Sequence, residues 1–173
     1  GQPMHAFDLK TISGGIEVRS AKKNEKLELL NGQTVSLTEK TLVIADEKSA
    51  IAIAGVMGGM KTATMPGSSE ILLESAFFDP IAIAGIARSY GLHTEASLRF
   101  ERGVDFHITH KALERATELV LEICGGKASQ INECVDSTSL PALEPIDISN
   151  DKISKVLGFD LEPSWIESKF KFL

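Results

Sequence analysis

Glu74 follows Ile71, Leu72 and Leu73 directly, so a carboxylate closes an apolar run that reads as a buried strand. A charge left there without partners would be expensive, and something polar should meet it. Two arrangements satisfy it: bonds to backbone amides at a strand end, or a cavity where it accepts a hydrogen bond from a ligand's hydroxyl or ammonium group. The run Ala54-Gly55-Val56-Met57-Gly58-Gly59 offers a second possibility. Glycine lets backbone approach a ligand closely and aim amides at it, although an ordinary tight turn uses the same residues. No Gly-Lys-Ser/Thr follows, and the spacing misses the dinucleotide fingerprint.

Residues 93–105 pack Arg99, Arg102, three acids and the hydroxyls of Thr94 and Ser97 into one short stretch. It reads either as a solvated charged turn with weak salt bridges or as a clamp for a phosphate or carboxylate. His107 and His110 are three apart, but no further Cys or His ligand lies near, so no metal site is expected. There is no Gly-x-Ser-x-Gly elbow, and neither Cys124 nor Cys134 adjoins a histidine, which leaves nucleophilic catalysis without support. The two cysteines follow neither zinc nor redox spacing and are expected to be buried, reduced thiols.

These groups need a scaffold, and the residues from Gly15 to Ala76 read as β-rich. Ile16-Glu17-Val18-Arg19 alternates apolar and charged residues, as a half-buried strand does. Residues 27–30 and 34–37 flank Asn31-Gly32, predicting a hairpin with both turn residues at positive φ. Residues 41–45 and 50–56 are continuous apolar runs suited to strands buried on both faces, and 58–69 reads as a loop. The second half turns helical. Asp79-Pro80 caps a predicted helix to about Tyr90, stopped by Gly91, and residues 111–124 form an amphipathic pattern ended by Gly125-Gly126. Residues 128–135 could return as a strand. Ser149-Asn150-Asp151 caps a short helix to Leu157, and another starts near Pro163. The expectation is an α+β fold: a β-rich mixed or antiparallel sheet domain with packed helices over 1–138, a linker at 139–145, and a short helical segment from 146 to 173. Both ends read as cut from a longer protein, with the first domain incomplete at its N-terminus and the last segment truncated.

The 173 residues are 43% hydrophobic and 24% charged, the balance of a globular protein. No apolar run approaches the ~18 residues of a membrane span, and the expectation is a cytoplasmic protein with no membrane partner. The net charge of −6 argues against a grip on a long stretch of nucleic acid. If RNA is the ligand, the chain should touch only a small part of it, such as a terminus.

Several strings together resemble the beta subunit of bacterial phenylalanyl-tRNA synthetase. They are Gly-Gln-Pro-Met-His-Ala-Phe-Asp (1–8), Leu-Val-Ile-Ala-Asp (42–46), Ala-Gly-Val-Met-Gly-Gly (54–59), Ile-Leu-Leu-Glu-Ser-Ala-Phe-Phe-Asp-Pro (71–80) and Tyr-Gly-Leu-His-Thr-Glu-Ala-Ser-Leu-Arg-Phe-Glu-Arg-Gly-Val-Asp (90–105). The resemblance runs to about Val135. Residues from Ile146 resemble, through weaker motifs, the small helical B5 module that follows the B3/B4 editing domain in that subunit.

The resemblance implies a post-transfer editing site that hydrolyses mischarged Tyr-tRNA(Phe) at the tRNA 3′ end. Carried over by motif, His5 and Thr94 would position the ester or a water. Pro3, Gly55, Glu74, Ala76 and Ala96 would bind the substrate, with Glu74 and the Gly55 amide meeting the tyrosine hydroxyl. Position 98 is Leu where relatives often carry His. No cofactor is expected in this stretch, whereas ATP, magnesium and an alpha subunit are implied for the parent enzyme. Two alternatives remain: a scaffold domain that presents tRNA without hydrolysis, and an enzyme acting on a small phosphorylated ligand through the glycine run and Arg99/Arg102.

Overall fold

The computed structural model describes residues 1–142 and 144–172. Leu143, inside the expected linker, and Leu173, the end of the expected helical segment, lie outside the described residues. The chain divides into two units, 1–129 and 130–173.

The first unit carries eight strands and four α-helices, numbered here in chain order. The strands are β1 (Met4–Asp8), β2 (Glu17–Ser20), β3 (Lys26–Glu28), β4 (Thr34–Ser36), β5 (Leu42–Ala45), β6 (Ala50–Ile53), β7 (Met57–Gly58) and β8 (Ile71–Ser75). They form an antiparallel four-stranded sheet in the order β2-β5-β6-β7 and two antiparallel pairs, β1-β8 and β3-β4. Helices α1 (Pro80–Ile83), α2 (Ile86–Ser89), α3 (Glu95–Phe100) and α4 (Thr109–Cys124) follow the last strand. The fold is therefore α+β, with the strands first.

The continuous apolar runs are the interior, as expected of strands covered on both faces. Val43, Ile51 and Ile53 are almost fully buried and pack with Phe7, Leu29, Leu37, Phe78, Ile83 and Phe100 into one core. Asp46 closes the β5–β6 turn. Its carboxylate accepts from the amides of Lys48 and Ser49 at 2.9 and 2.8 Å and from the Ser13 amide at 3.2 Å, and these bonds hold it below its usual pKa against the pull of burial.

Several local expectations are corrected. β2 exists, but its alternation faces the other way: Val18 is 53% exposed, while the Arg19 side chain is only 16% exposed. The inward face closes on a bidentate pair, with the Arg19 guanidinium donating to Glu25 at 2.8 and 3.0 Å. Glu25 also accepts from the Lys22 and Ala50 amides, and its pKa falls to about 2, with the Arg19 bond as the largest cause. In the β3–β4 hairpin only Gly32 has positive φ, +81°, and its amide donates to Leu29 O at 2.8 Å while Leu29 N donates to Gln33 O. That is a turn followed by a glycine bulge, and Asn31 needs no left-handed conformation.

The helix expected from Asp79 to Tyr90 is two helices. Asp79 caps the first, accepting from Ile81 N at 2.9 Å, but Gly85 takes φ +77° and breaks the ladder before α2. Residues 128–135 form no strand, and both cysteines are free and exposed instead of buried. Three elements escaped the sequence reading, β1, α3 and the short β7, whose Gly58 falls in the stretch expected to be a loop. The second unit holds α5 (Asn150–Leu157), capped by Ser149 and ended by Gly158 at φ +81°, and α6 (Pro163–Phe170), which begins on proline. No helix among the described residues is long and apolar enough to cross a membrane.

Candidate functional site

Register places the chemistry. β1 and β8 pair antiparallel with His5 opposite Glu74, so both side chains leave the same face of the ribbon. Gln2 Nε2 donates to Ala76 O at 2.7 Å and fixes the open end of this pair, and α4 packs against β8. Beneath that face the turn from β6 into β7 crosses at Gly55, whose φ is +67°. A side chain at position 55 would also press on Phe78, Ile83 and Phe100 at 3.2–3.3 Å, so glycine is required there twice over.

These elements line a partly open cavity of about 60 Å³. Pro3 just before β1, Met4 and His5 on β1, Glu74 on β8, the residues from Gly55 to Gly58 in the turn, and Ala96 and Phe100 on α3 line it. Ala96 and Phe100 are four apart on the helix and share its inward face. The walls are otherwise apolar, and Glu74 and His5 are the only ionisable residues lining them.

Both are poised oddly. Glu74 Oε2 and His5 Nε2 are buried with no hydrogen-bond partner. Burial alone pushes the Glu74 carboxyl up to about 7, and burial lowers the pKa of His5, which favours neutral imidazole. Two other side-chain atoms are buried and unpaired, Gln2 Oε1 and Thr62 Oγ1, and neither residue lines the cavity. Unpaired buried polar groups are uncommon because each forgoes its full solvation. A larger cleft of about 480 Å³ lies in the second unit, lined by residues that include Ile148, Ile166 and Phe170, but it contains no buried unpaired side-chain group.

Of the residues singled out in the sequence, Pro3, His5, Gly55, Glu74 and Ala96 meet at this cavity. Thr94 and Ala76 do not line it. The Thr94 hydroxyl is spent on structure: it accepts from Ser97 N at 3.0 Å as the N-cap of α3 and donates to Val56 O at 2.9 Å. It thereby ties α3, with Ala96, to the glycine turn. Ala76 offers its carbonyl to Gln2 and packs on the core.

Met4, Met57 and Phe100 are wall residues that the sequence reading passed over; the two methionines are flexible enough to yield to a ligand. Arg99 is paired with Glu95 one turn back on α3, and His110 lies 3.7 Å from Glu114. Among the described residues no three His, Cys, Asp or Glu side chains cluster as metal ligands.

Comparison with known proteins gives the same outline from another direction. A family model described as B3/4 domain matches residues 1–125. Proteins named phenylalanine–tRNA ligase beta subunit match nearly the whole chain. The one from Pseudomonas savastanoi pv. phaseolicola is 54% identical over 167 residues, which is 96% of this chain and 21% of that protein. The one from Pseudomonas syringae pv. syringae is 53% identical over 173 residues, 100% of the chain and 22% of the relative. The Haemophilus influenzae protein is 48% identical over 170 residues, 98% and 21%. The chain spans about a fifth of the length of these relatives.

Proposed function

This chain belongs to the B3/4 domain family, in the version carried by phenylalanine–tRNA ligase beta subunits, and from that premise we propose that its cavity is an editing pocket for tyrosine wrongly esterified to tRNA(Phe). The observation that carries the reading is Glu74 Oε2, a buried acceptor without a partner in an apolar cavity.

Tyrosine and phenylalanine differ by one hydroxyl. A hydrophobic synthetic pocket rejects an added hydroxyl only weakly, by about a hundredfold, so accuracy needs a second site that rewards it. Glu74 supplies the reward. The phenol donates to the carboxylate or accepts from the carboxylic acid, and either bond ends the group's isolation. Phenylalanine leaves it unpaired, a penalty of about 1–3 kcal/mol. Gly55 brings backbone beside the ring, and Ala96, Pro3 and Phe100 shape the slot.

The reaction adds water across the ester: the water oxygen bonds to the carbonyl carbon, the ester C–O bond breaks, and the leaving ribose oxygen takes a proton. Such an ester is already activated, and holding it beside an ordered water supplies most of the acceleration. Thr94 acts through the turn and α3 that it clamps. In this reading ATP, magnesium and the alpha-subunit contacts belong to other parts of the full-length enzyme.

The test is deacylation of preformed Tyr-tRNA(Phe) and Phe-tRNA(Phe) by full-length enzyme, with and without Glu74→Ala. Tyrosyl ester should clear first, and the substitution should cut the Tyr/Phe ratio by about tenfold or more. Wild type that clears neither ester, or a mutant that keeps the ratio, would reduce the domain to a tRNA-presenting scaffold.

A further inference from the structure

The four-stranded sheet has two faces, and they end differently at its β2 edge. On one face the register sets Arg19 opposite Val43 and Val43 opposite Ile53, and the Arg19–Glu25 pair closes the edge. On the other, Val18 stands opposite Ile44, Ile44 opposite Ala52, and Ala52 opposite Gly58, one row across all four strands. Directly opposite residues in antiparallel strands project to the same side. Ile44, Ala52 and Gly58 all line the cavity, so the row is part of its wall.

The cover over this row stops short of the edge. The His5 ring lies against Gly58 at the β7 end, and Ile44 and Ala52 are only 4% and 3% exposed. Val18, next in the row and about 5 Å further out, is 53% exposed. Ile16, two residues earlier, is 42% exposed and extends the same side by the two-residue period. A lone exposed valine is ordinary, but this one continues a cavity wall into the open. Ser20 and half-buried Leu42 pair on that side too, and none of these four residues is charged. Asp46, two residues past Ile44, has its carboxylate taken up by the amides of Ser13, Lys48 and Ser49.

We propose that Ile16, Val18 and Leu42 form a shelf for the terminal nucleoside of the tRNA. The inference rests on the editing reading and adds the alcohol side of the ester to it. A cavity of about 60 Å³ that takes the amino-acid side chain has no room for ribose and base, which must leave by an open side. The row offers an apolar route of three strand spacings from Gly58 to Val18, about 14 Å. Uncharged and apolar, the shelf suits the face of a nucleobase, whereas a phosphate would need cations that these residues lack.

The experiment follows deacylation of Tyr-tRNA(Phe) by full-length enzyme in the presence of two non-hydrolysable competitors. One is tyrosinamide; the other is the amide of tyrosine with 3′-amino-3′-deoxyadenosine. Inhibition constants are measured for wild type, Val18→Asp and Ile16→Ser. The nucleoside amide should bind wild type more tightly than tyrosinamide does. Val18→Asp should remove about tenfold of that advantage, and Ile16→Ser about threefold, with tyrosinamide unchanged. The proposal is overturned if both variants weaken the two competitors equally, or if neither changes the advantage. In the latter case the face belongs to packing within the full-length subunit. If Val18→Asp does not fold, Ile16→Ser, outside the strand, decides alone: a reduced advantage supports the shelf and an unchanged one overturns it. Failure of the editing reading looks different. Wild type would then clear no tyrosyl ester, or Glu74→Ala would keep its Tyr/Phe ratio, and the shelf would fall with that reading.

Discussion

Burial alone lifts the Glu74 carboxyl to about 7 from an ordinary 4.5, and this ties stability to pH. Below pH 4.5 folded and unfolded chains both hold the proton. As pH rises the unfolded chain ionises first, so the folded state is increasingly disfavoured until Glu74 itself ionises near 7. The gap between the two values corresponds to on the order of 3 kcal/mol. Glu74→Gln should therefore gain stability over wild type by about that much between pH 4.5 and 7.5 in urea denaturation. A constant difference across that range would mean that the carboxyl is solvated or partnered after all. Glu74 was legible in the sequence because a charge at the end of an apolar run has few places to go. His5 was not. It entered only through the resemblance of residues 1–8, and its place at the cavity comes from a strand partner far along the chain. Thr94 drew notice only through resemblance, and the structure shows its hydroxyl already engaged at both ends.

The elements were legible where periodicity and glycine act locally. The buried strands β5 and β6, the capped starts of α1 and α5 and the glycine end of α4 follow from runs and caps. The misses have physical reasons. β2 alternates correctly but hides its charged face, because the Arg19–Glu25 pair is satisfied by four hydrogen bonds that no pattern in β2 announces. α3 is only six residues long and is held by a capping box between Thr94 and Ser97. The adjacent glycines of the turn behave differently under substitution. A Cβ at Gly59 would sit 2.6 Å from the Ile51 carbonyl, backbone that cannot yield, whereas at Gly58 it meets the His5 side chain. Gly59→Ala should cost about 2–3 kcal/mol in urea denaturation. Gly58→Ala should cost less and displace the imidazole, lowering Tyr selectivity more than overall stability. Equal losses of stability at the two positions would show that the His5 ring is as rigid as backbone.

At the scale of the whole molecule, the net charge of −6 is compatible with the proposed reading, in which this stretch meets only the end of a tRNA. The two units should also part under protease. Between Gly125 and Ser149 the described residues form no helix or strand, so limited proteolysis is expected to cut there and leave the first unit intact by mass. Early cleavage inside residues 1–124 instead would show that the first unit does not hold without the second.

The β1–β8 pairing also sets an order of events in time. The Gln2–Ala76 hydrogen bond spans 74 residues, and the strands it secures bring His5 to Glu74. Closing so long a loop early is entropically unfavourable, whereas the β3–β4 and β5–β6 hairpins close short ones. The hairpins can form while the chain is still emerging from the ribosome, but the pocket cannot exist until β8 has been made and has found β1. A nascent chain is thus folded in much of its sheet before the pocket proposed here for editing can take shape.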